Sequence, residues 1–119
     1  MNINKRSTGT EKETLAADYL RENGLEILET NFRCRIGEID IIAKDKEYIV
    51  FTEVKFRKTA SKGFASEAVD FKKIKKICKV SDFYRLINHL DESVPVRFDV
   101  IAITGEETLW YKNAFEYVN

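Results

Sequence analysis

The sequence predicts one α/β domain with a mixed sheet, its elements in the order α-β-β-β-α-β-β. Three observations predict it. Two stretches carry apolar residues at helical spacing, the second of them long and lysine-rich. Five shorter runs have strand character, and two of these flank a polar tip that suits a hairpin. The chain has 119 residues, 44% hydrophobic and 34% charged, the length and balance of a single globular unit. Residues 1–8 read as a loose arm and residues 9–119 as the domain.

Thr8 or Thr10 can cap the first helix, with Glu11 and Glu13 in a first turn that favours acids. Leu15, Ala16, Tyr19 and Leu20 repeat at helical spacing, and Gly24 is a natural terminator. Strands follow at Glu26–Arg33, Gly37–Ala43 and Tyr48–Phe56, the last two joined through Lys44-Asp45-Lys46-Glu47. Residues 57–66 form a basic loop of small residues, and a long helix is expected from about Glu67 to His89. Pro95 precedes a strand at Val96–Ile103, and Gly105-Glu106-Glu107 turns into a shorter one at Thr108–Tyr111.

Composition removes several function classes. One Pro and five Gly rule out collagen-like, Pro-rich and flexible-linker chains. The longest apolar runs, such as Tyr48 to Phe51, fall far short of the roughly 20 residues that span a bilayer. The N-terminal MNINKRSTGTEKET lacks the apolar region of a secretory signal, so a soluble, cytoplasmic protein with no membrane partner is expected. Cys34 and Cys78 form no C-x-x-C pair and read as two buried thiols. A lone histidine, His89, argues against histidine-rich metal clusters. Chemistry here must run on carboxylates and lysines.

Net charge is zero, but it is unevenly spread. From Val54 to Arg85 ten basic residues face three acids, a net +7 that leaves −7 on the rest. That layout suits an anionic partner. Taking ~100° per residue, Phe71, Ile74, Ile77, Cys78, Val80, Tyr84 and Ile87 make one apolar arc of the long helix. Lys72, Lys75, Lys76 and Lys79 lie largely opposite, as a face for phosphates rather than bases. Lys73 falls inside the arc, either with its ammonium in solvent or facing the sheet.

Strand periodicity then brings the acids together. Glu53 and Lys55 project from one side of their strand; Glu38 and Asp40 share a face, with Ile39 and Ile41 on the other. If Lys46-Glu47 is a two-residue tip, paired positions sum to 93 and Asp40 stands across from Glu53. Two carboxylates at the ~5 Å of such a pair repel unless a cation lies between them. Their hard oxygens, with the backbone carbonyl of Val54, suit Mg²⁺, and Lys55 can position or deprotonate an activated water. Glu-x-Lys on a strand is usually a surface ion pair. Here Val50, Thr52 and Val54 on one face and Ile49 and Phe51 on the other predict a strand buried on both sides, where charges need partners.

Asp40, twelve further residues, then Glu53-Val54-Lys55 resembles the (P)D-(D/E)xK motif of the restriction-endonuclease-like nucleases. More narrowly, the chain resembles the bacterial YraN family, which is similar to archaeal Holliday junction resolvases. The matching stretches run through Gly9 to Leu20, Asn31 to Asp40, Val50 to Arg57, Glu67 to Lys73 and Arg97 to Val100. The resemblance implies a restriction-endonuclease-like mixed sheet and a Mg²⁺-dependent endonuclease, with Mn²⁺ as an alternative ion. It places Asp40 and Glu53 as metal-binding acids, Lys55 as the catalytic lysine, and Glu13 as a helix-borne acid of the metal shell. Ile39 stands in place of the motif's proline, Lys12 where glycine is usual and Thr52 where valine is typical.

Arg33, Arg35 and Arg57, near strand ends, can clamp a phosphate bidentately or pair with local acids; the clamp is the favoured reading. Arg97 and Asp99 read as a structural pair, and Trp110 and Tyr111 as a core edge. The expected partner is branched or duplex DNA, with a homodimer left open. The competing reading is a non-catalytic nucleic-acid-binding module working within a larger complex.

Overall fold

A computed structural model of the protein describes residues 5–57, 69–105 and 107–119, and all of their side chains except those of 5–10 and 57. Helix α1 (Lys5–Glu22) leads into β1 (Glu26–Arg33), β2 (Glu38–Asp45) and β3 (Tyr48–Arg57). Helix α2 (Phe71–Ile87) then precedes β4 (Val96–Thr104) and β5 (Glu107–Phe115). The five strands form one mixed sheet in the order β1-β2-β3-β4-β5, with β3 and β4 parallel and the other neighbours antiparallel. The β3–α2–β4 crossover is what permits that parallel pair, and it makes β3 the central strand. No helix among the described residues is long and apolar enough to cross a membrane.

Both faces of the sheet are covered. Ile39, Ile42, Phe51, Phe98 and Val100 pack with Ile77, Val80 and Tyr84 of α2. Ile41, Ala43, Val50, Ile101 and Ile103 pack with Ala16, Ala17 and Leu20 of α1. Each large apolar side chain buried this way stabilises the fold by about 1.5–3 kcal/mol. The expectation that β3 is buried on both sides holds, with Val50 and Thr52 at 0% exposure and Phe51 at 1%.

The β2–β3 hairpin turns on Lys46 and Glu47, and Lys46 takes the left-handed φ of +59° that such a tight tip requires. Its pairs, from Asp45–Tyr48 to Ile41–Thr52, carry the expected register. Helix α1 ends as anticipated at Gly24 (φ +94°), where Leu25 N–H bonds the Leu20 carbonyl and Gly24 N–H that of Arg21.

Several boundaries differ from the sequence reading. Helix α1 begins at Lys5, inside the expected arm, so Thr8 and Thr10 lie within it rather than capping it. Helix α2 starts at Phe71 because the Asp70 carboxylate accepts from Lys73 N–H at 2.9 Å; the anticipated start, Glu67, is outside the described residues, as is the loop over 58–66. It stops at Ile87, since His89 adopts φ +53° and Leu90 N–H closes on the Arg85 carbonyl. Strand β5 runs on to Phe115, paired there with Phe98. Phe71 and Ile87, assigned to the apolar arc, are 64% and 47% exposed, as the first and last residues of the helix. Leu15 is likewise exposed, its place against the sheet being taken by Ala17.

Candidate functional site

The β2–β3 pairing ends at Ile41–Thr52, and acids lie just beyond that point. Continued regularly, the β2–β3 ladder would pair Ile39 with Val54 through their backbone groups. Instead the side chain of Asp40 takes over, its Oδ2 accepting from Val54 N–H at 2.8 Å. Strand β2 changes face there: Ile39 packs on the α2 side and Ile41 on the α1 side. The expectation that Ile39 and Ile41 share a face is therefore corrected, because a simple two-residue pleat does not survive where β2 leaves β3.

Strand β1 keeps its register at the same level but leaves the extended backbone there. Asn31 lies between the Thr30–Ile41 and Phe32–Ile39 pairs, and so across from Asp40, and it adopts φ +54°. A left-handed residue inside a strand is costly, and asparagine is among the few side chains that tolerate it. Sequence reasoning gave Asn31 no role. Its only signal was the residue type, since nothing in the local spacing marks a pleat break.

Glu53 is buried, with only 8% of its side chain exposed, and two ammonium groups attend it. Lys73 Nζ, reaching in from α2, lies 3.4 Å from Oε2, and Lys55 Nζ lies 3.8 Å from the same atom. Of the two settings open to Lys73, it is the sheet-facing one that occurs. No such cation stands by Asp40 among the described residues: burial, then the neighbouring charges of Glu53, Glu13 and Glu38, push its carboxyl up to about 7, against the opposing hydrogen bond from Val54. Glu13 itself lines a cleft of about 240 Å³ with Thr14, Ala17, Arg21, Thr30 and Asn31, between α1 and β1. Among the described residues, no three His, Cys, Asp or Glu side chains are gathered closely enough to hold a metal ion by themselves.

The basic residues divide into three groups. Lys72, Lys75, Lys76 and Lys79 line one shallow groove of about 280 Å³ with Ile36, so they share a surface as expected. Gly37 makes room for it: a Cβ there would stand 3.1 Å from Lys76 Cδ, so the lysine stem lies across the β1–β2 turn. Arg33 donates from Nε to Glu38 Oε1 at 2.9 Å, which is the local pairing rather than the open clamp. Arg35 is exposed in the β1–β2 turn, and the side chain of Arg57 lies outside the described residues.

Away from the site, Asp99 is fully buried and fully partnered, accepting from Arg97, Trp110 Nε1 and Asn113 N–H. Arg97 also bonds Asp45 at 3.0 Å, so the expected Arg97–Asp99 pair is a structural tie between strands. Trp110 meets Tyr19 edge-on, a core-edge position.

Comparison with known proteins adds the family. Residues 12–103 match the Uncharacterised protein family UPF0102. The chain is 48% identical over 114 residues to a UPF0102 protein of Lachnoclostridium phytofermentans, covering 96% of this chain and 97% of that one. It is 44% identical over 108 residues to a UPF0102 protein of Persephonella marina, covering 91% and 92%. A UPF0102 protein of Legionella pneumophila is 40% identical over 106 residues, covering 87% and 90%. With more than half of the chain matched and its relatives aligned almost end to end, this protein belongs to the UPF0102 family.

Proposed function

We propose that the protein is a metal-dependent nuclease of restriction-endonuclease-like fold that acts on DNA phosphodiesters. The observation that carries this reading is the juxtaposition of Asp40, held across β2–β3 by Val54 N–H, with a buried Glu53 flanked by Lys55 and Lys73. A carboxyl pushed up to about 7 by burial and neighbouring acids marks a place where positive charge is wanting.

The donor chemistry fits a hard divalent cation. Asp40 and Glu53 offer carboxylate oxygens, and the Val54 carbonyl points to the same strand edge as the N–H that Asp40 accepts from. Those three groups would hold Mg²⁺ or Mn²⁺, with Glu13 as the next acid along α1. A bound divalent cation supplies a water of lowered pKa and Lewis-acid stabilisation of charge on the phosphoryl oxygens. Lys73 balances the charge of Glu53 and leaves Lys55, the more distant ammonium, available to orient the attacking water by donating a hydrogen bond to it. The four-lysine groove supports the substrate by neutralising backbone phosphates without reading sequence.

A second reading has its own observation. Glu53 already has two lysines beside it, which favours a binding module of nuclease fold that does not cut. A nuclease assay separates the two, using duplex, flap, four-way and single-stranded substrates with Mg²⁺ and with Mn²⁺. The nuclease reading expects cleavage that Asp40→Asn and Lys55→Ala abolish while DNA affinity stays largely intact. Binding without cleavage on every substrate with either metal supports the binding module.

A further inference from the structure

Glu53 draws its counter-charge from two directions. Lys55 is two residues away on the same strand and face, so its backbone is fixed relative to the carboxylate. Lys73 comes from another element. It is the third residue of α2, its N–H is held by Asp70 at 2.9 Å, and its stem carries Nζ to 3.4 Å from Glu53 Oε2. The carboxylate is buried while the Lys73 side chain is 40% exposed, so this ammonium stands where the site meets solvent. Its backbone is anchored, but its four-carbon stem is flexible.

Lys73 also belongs to the basic stretch of α2. It adjoins Lys72 and stands three residues before Lys76, two of the lysines that line the groove read above as a phosphate surface. Of the helix's lysines it is the one paired with Glu53. A divalent cation on Glu53 would change that pairing. At the ~2.1 Å of a carboxylate–Mg²⁺ bond, on either oxygen, it would lie within about 8 Å of Nζ, about one Debye length. Beside a buried carboxylate that repulsion is weakly screened. Lys55 is tied to the strand, whereas Lys73 can swing outward, and a backbone phosphate on the lysine groove offers its ammonium an equivalent anion.

We infer that Lys73 is a transferable counter-ion: it competes with the divalent cation for Glu53 and passes to a DNA phosphate when the cation binds. Metal and phosphate backbone then strengthen each other's binding through this one side chain, a coupling that is reciprocal by linkage. The inference rests on the nuclease reading above and deepens it, by naming the group that ties metal binding to substrate binding.

The test uses the full chain and Lys73→Met, with Lys73→Gln as a second variant that removes the charge and keeps a polar head. Mn²⁺ alone is first titrated into each protein at pH 8, and the free ion is read by electron paramagnetic resonance. Both variants should bind Mn²⁺ about three- to tenfold tighter than wild type, because a competing charge is gone. A role confined to holding the fold together would not tighten it. Binding of a phosphorothioate-linked duplex, which keeps its charges and resists cleavage, is then measured in EDTA and in saturating Mn²⁺. In EDTA the three proteins should agree to within about twofold, and Mn²⁺ should tighten wild-type binding at least about threefold more than that of either variant. Variants that bind Mn²⁺ no tighter than wild type, that already bind the duplex more weakly in EDTA, or that respond to Mn²⁺ as wild type does overturn the inference and leave the nuclease reading standing. Wild-type protein that binds no Mn²⁺, or no DNA, overturns that reading and the inference together.

Discussion

Lys73 on α2 places its ammonium 3.4 Å from Oε2 of Glu53 on β3, closer than Lys55, which shares a strand with that carboxylate. The ion pair joins helix to sheet midway along the central strand. Lys73→Met should destabilise the fold by about 1–2 kcal/mol, less than a fully buried pair because Lys55 remains and the Lys73 head is partly solvated. A double-mutant cycle with Glu53→Gln, read by urea unfolding, checks it. Coupling below about 0.3 kcal/mol would mean the pair adds nothing to stability.

Asp40 gives the protein a pH signature. Its folded carboxyl titrates at about 7, whereas an unfolded aspartate titrates near 4, so between those values the folded state binds more protons. Stability must therefore fall as pH rises from about 4 to about 7, and stay low above that range. Asp40→Asn should flatten this slope and be the more stable form at pH 8, by as much as about 4 kcal/mol, with little difference near pH 4. Thermal melts across that range read both arms. Parallel curves for the two proteins would contradict the assignment.

The same carboxylate predicts a response to divalent cations. At pH 8, millimolar Mg²⁺ or Mn²⁺ should raise the melting temperature of the wild type, because a ligand that binds only the folded state stabilises it. Asp40→Asn should abolish most of that rise. A rise of equal size in the variant would place the ion elsewhere.

The lysine groove predicts a salt dependence. Lys72, Lys75, Lys76 and Lys79 changed together to Gln should weaken binding to all DNA sequences alike. The log–log salt slope should flatten by about 0.9 for each phosphate that is no longer neutralised. Helicity should persist, since Gln and Lys have similar propensities, and circular dichroism confirms that control. An unchanged slope in a folded variant would show that this face does not meet the phosphate backbone.

Thr52 offers a stability test independent of function. It is wholly buried, and among the described residues its Oγ1 has no hydrogen-bond partner. Valine has nearly the same shape without the stranded hydroxyl, so Thr52→Val should stabilise the protein by about 1 kcal/mol. Urea unfolding of the single variant measures it, and a lower stability would mean that the hydroxyl is satisfied in solution.

Much of this architecture was legible in the residues alone. The span Glu26–Arg33 is the strand anticipated, and a two-residue tip at Lys46-Glu47 set the β2–β3 register that carries Asp40 toward Glu53. Gly24 ended α1 as its type suggested, and Lys73 lay in the sheet-facing arc where counting placed it. These features depend on neighbours within a few residues, on periodicity and on backbone freedom, all of which sequence records directly. Tertiary structure alone decided the rest. Asn31 leaves the extended backbone across from Asp40, and Val54 N–H turns to the Asp40 side chain just past the point where β2 and β3 stop pairing. Phe115 became strand because Phe98 pairs with it, and Phe71 is exposed as the first residue of α2. The pKa of Asp40 belongs to this second class, being set by burial and by Glu53, Glu13 and Glu38, acids that come from three different elements. Each of these depends on distant parts of the chain meeting, and no local pattern encodes which partner will be there.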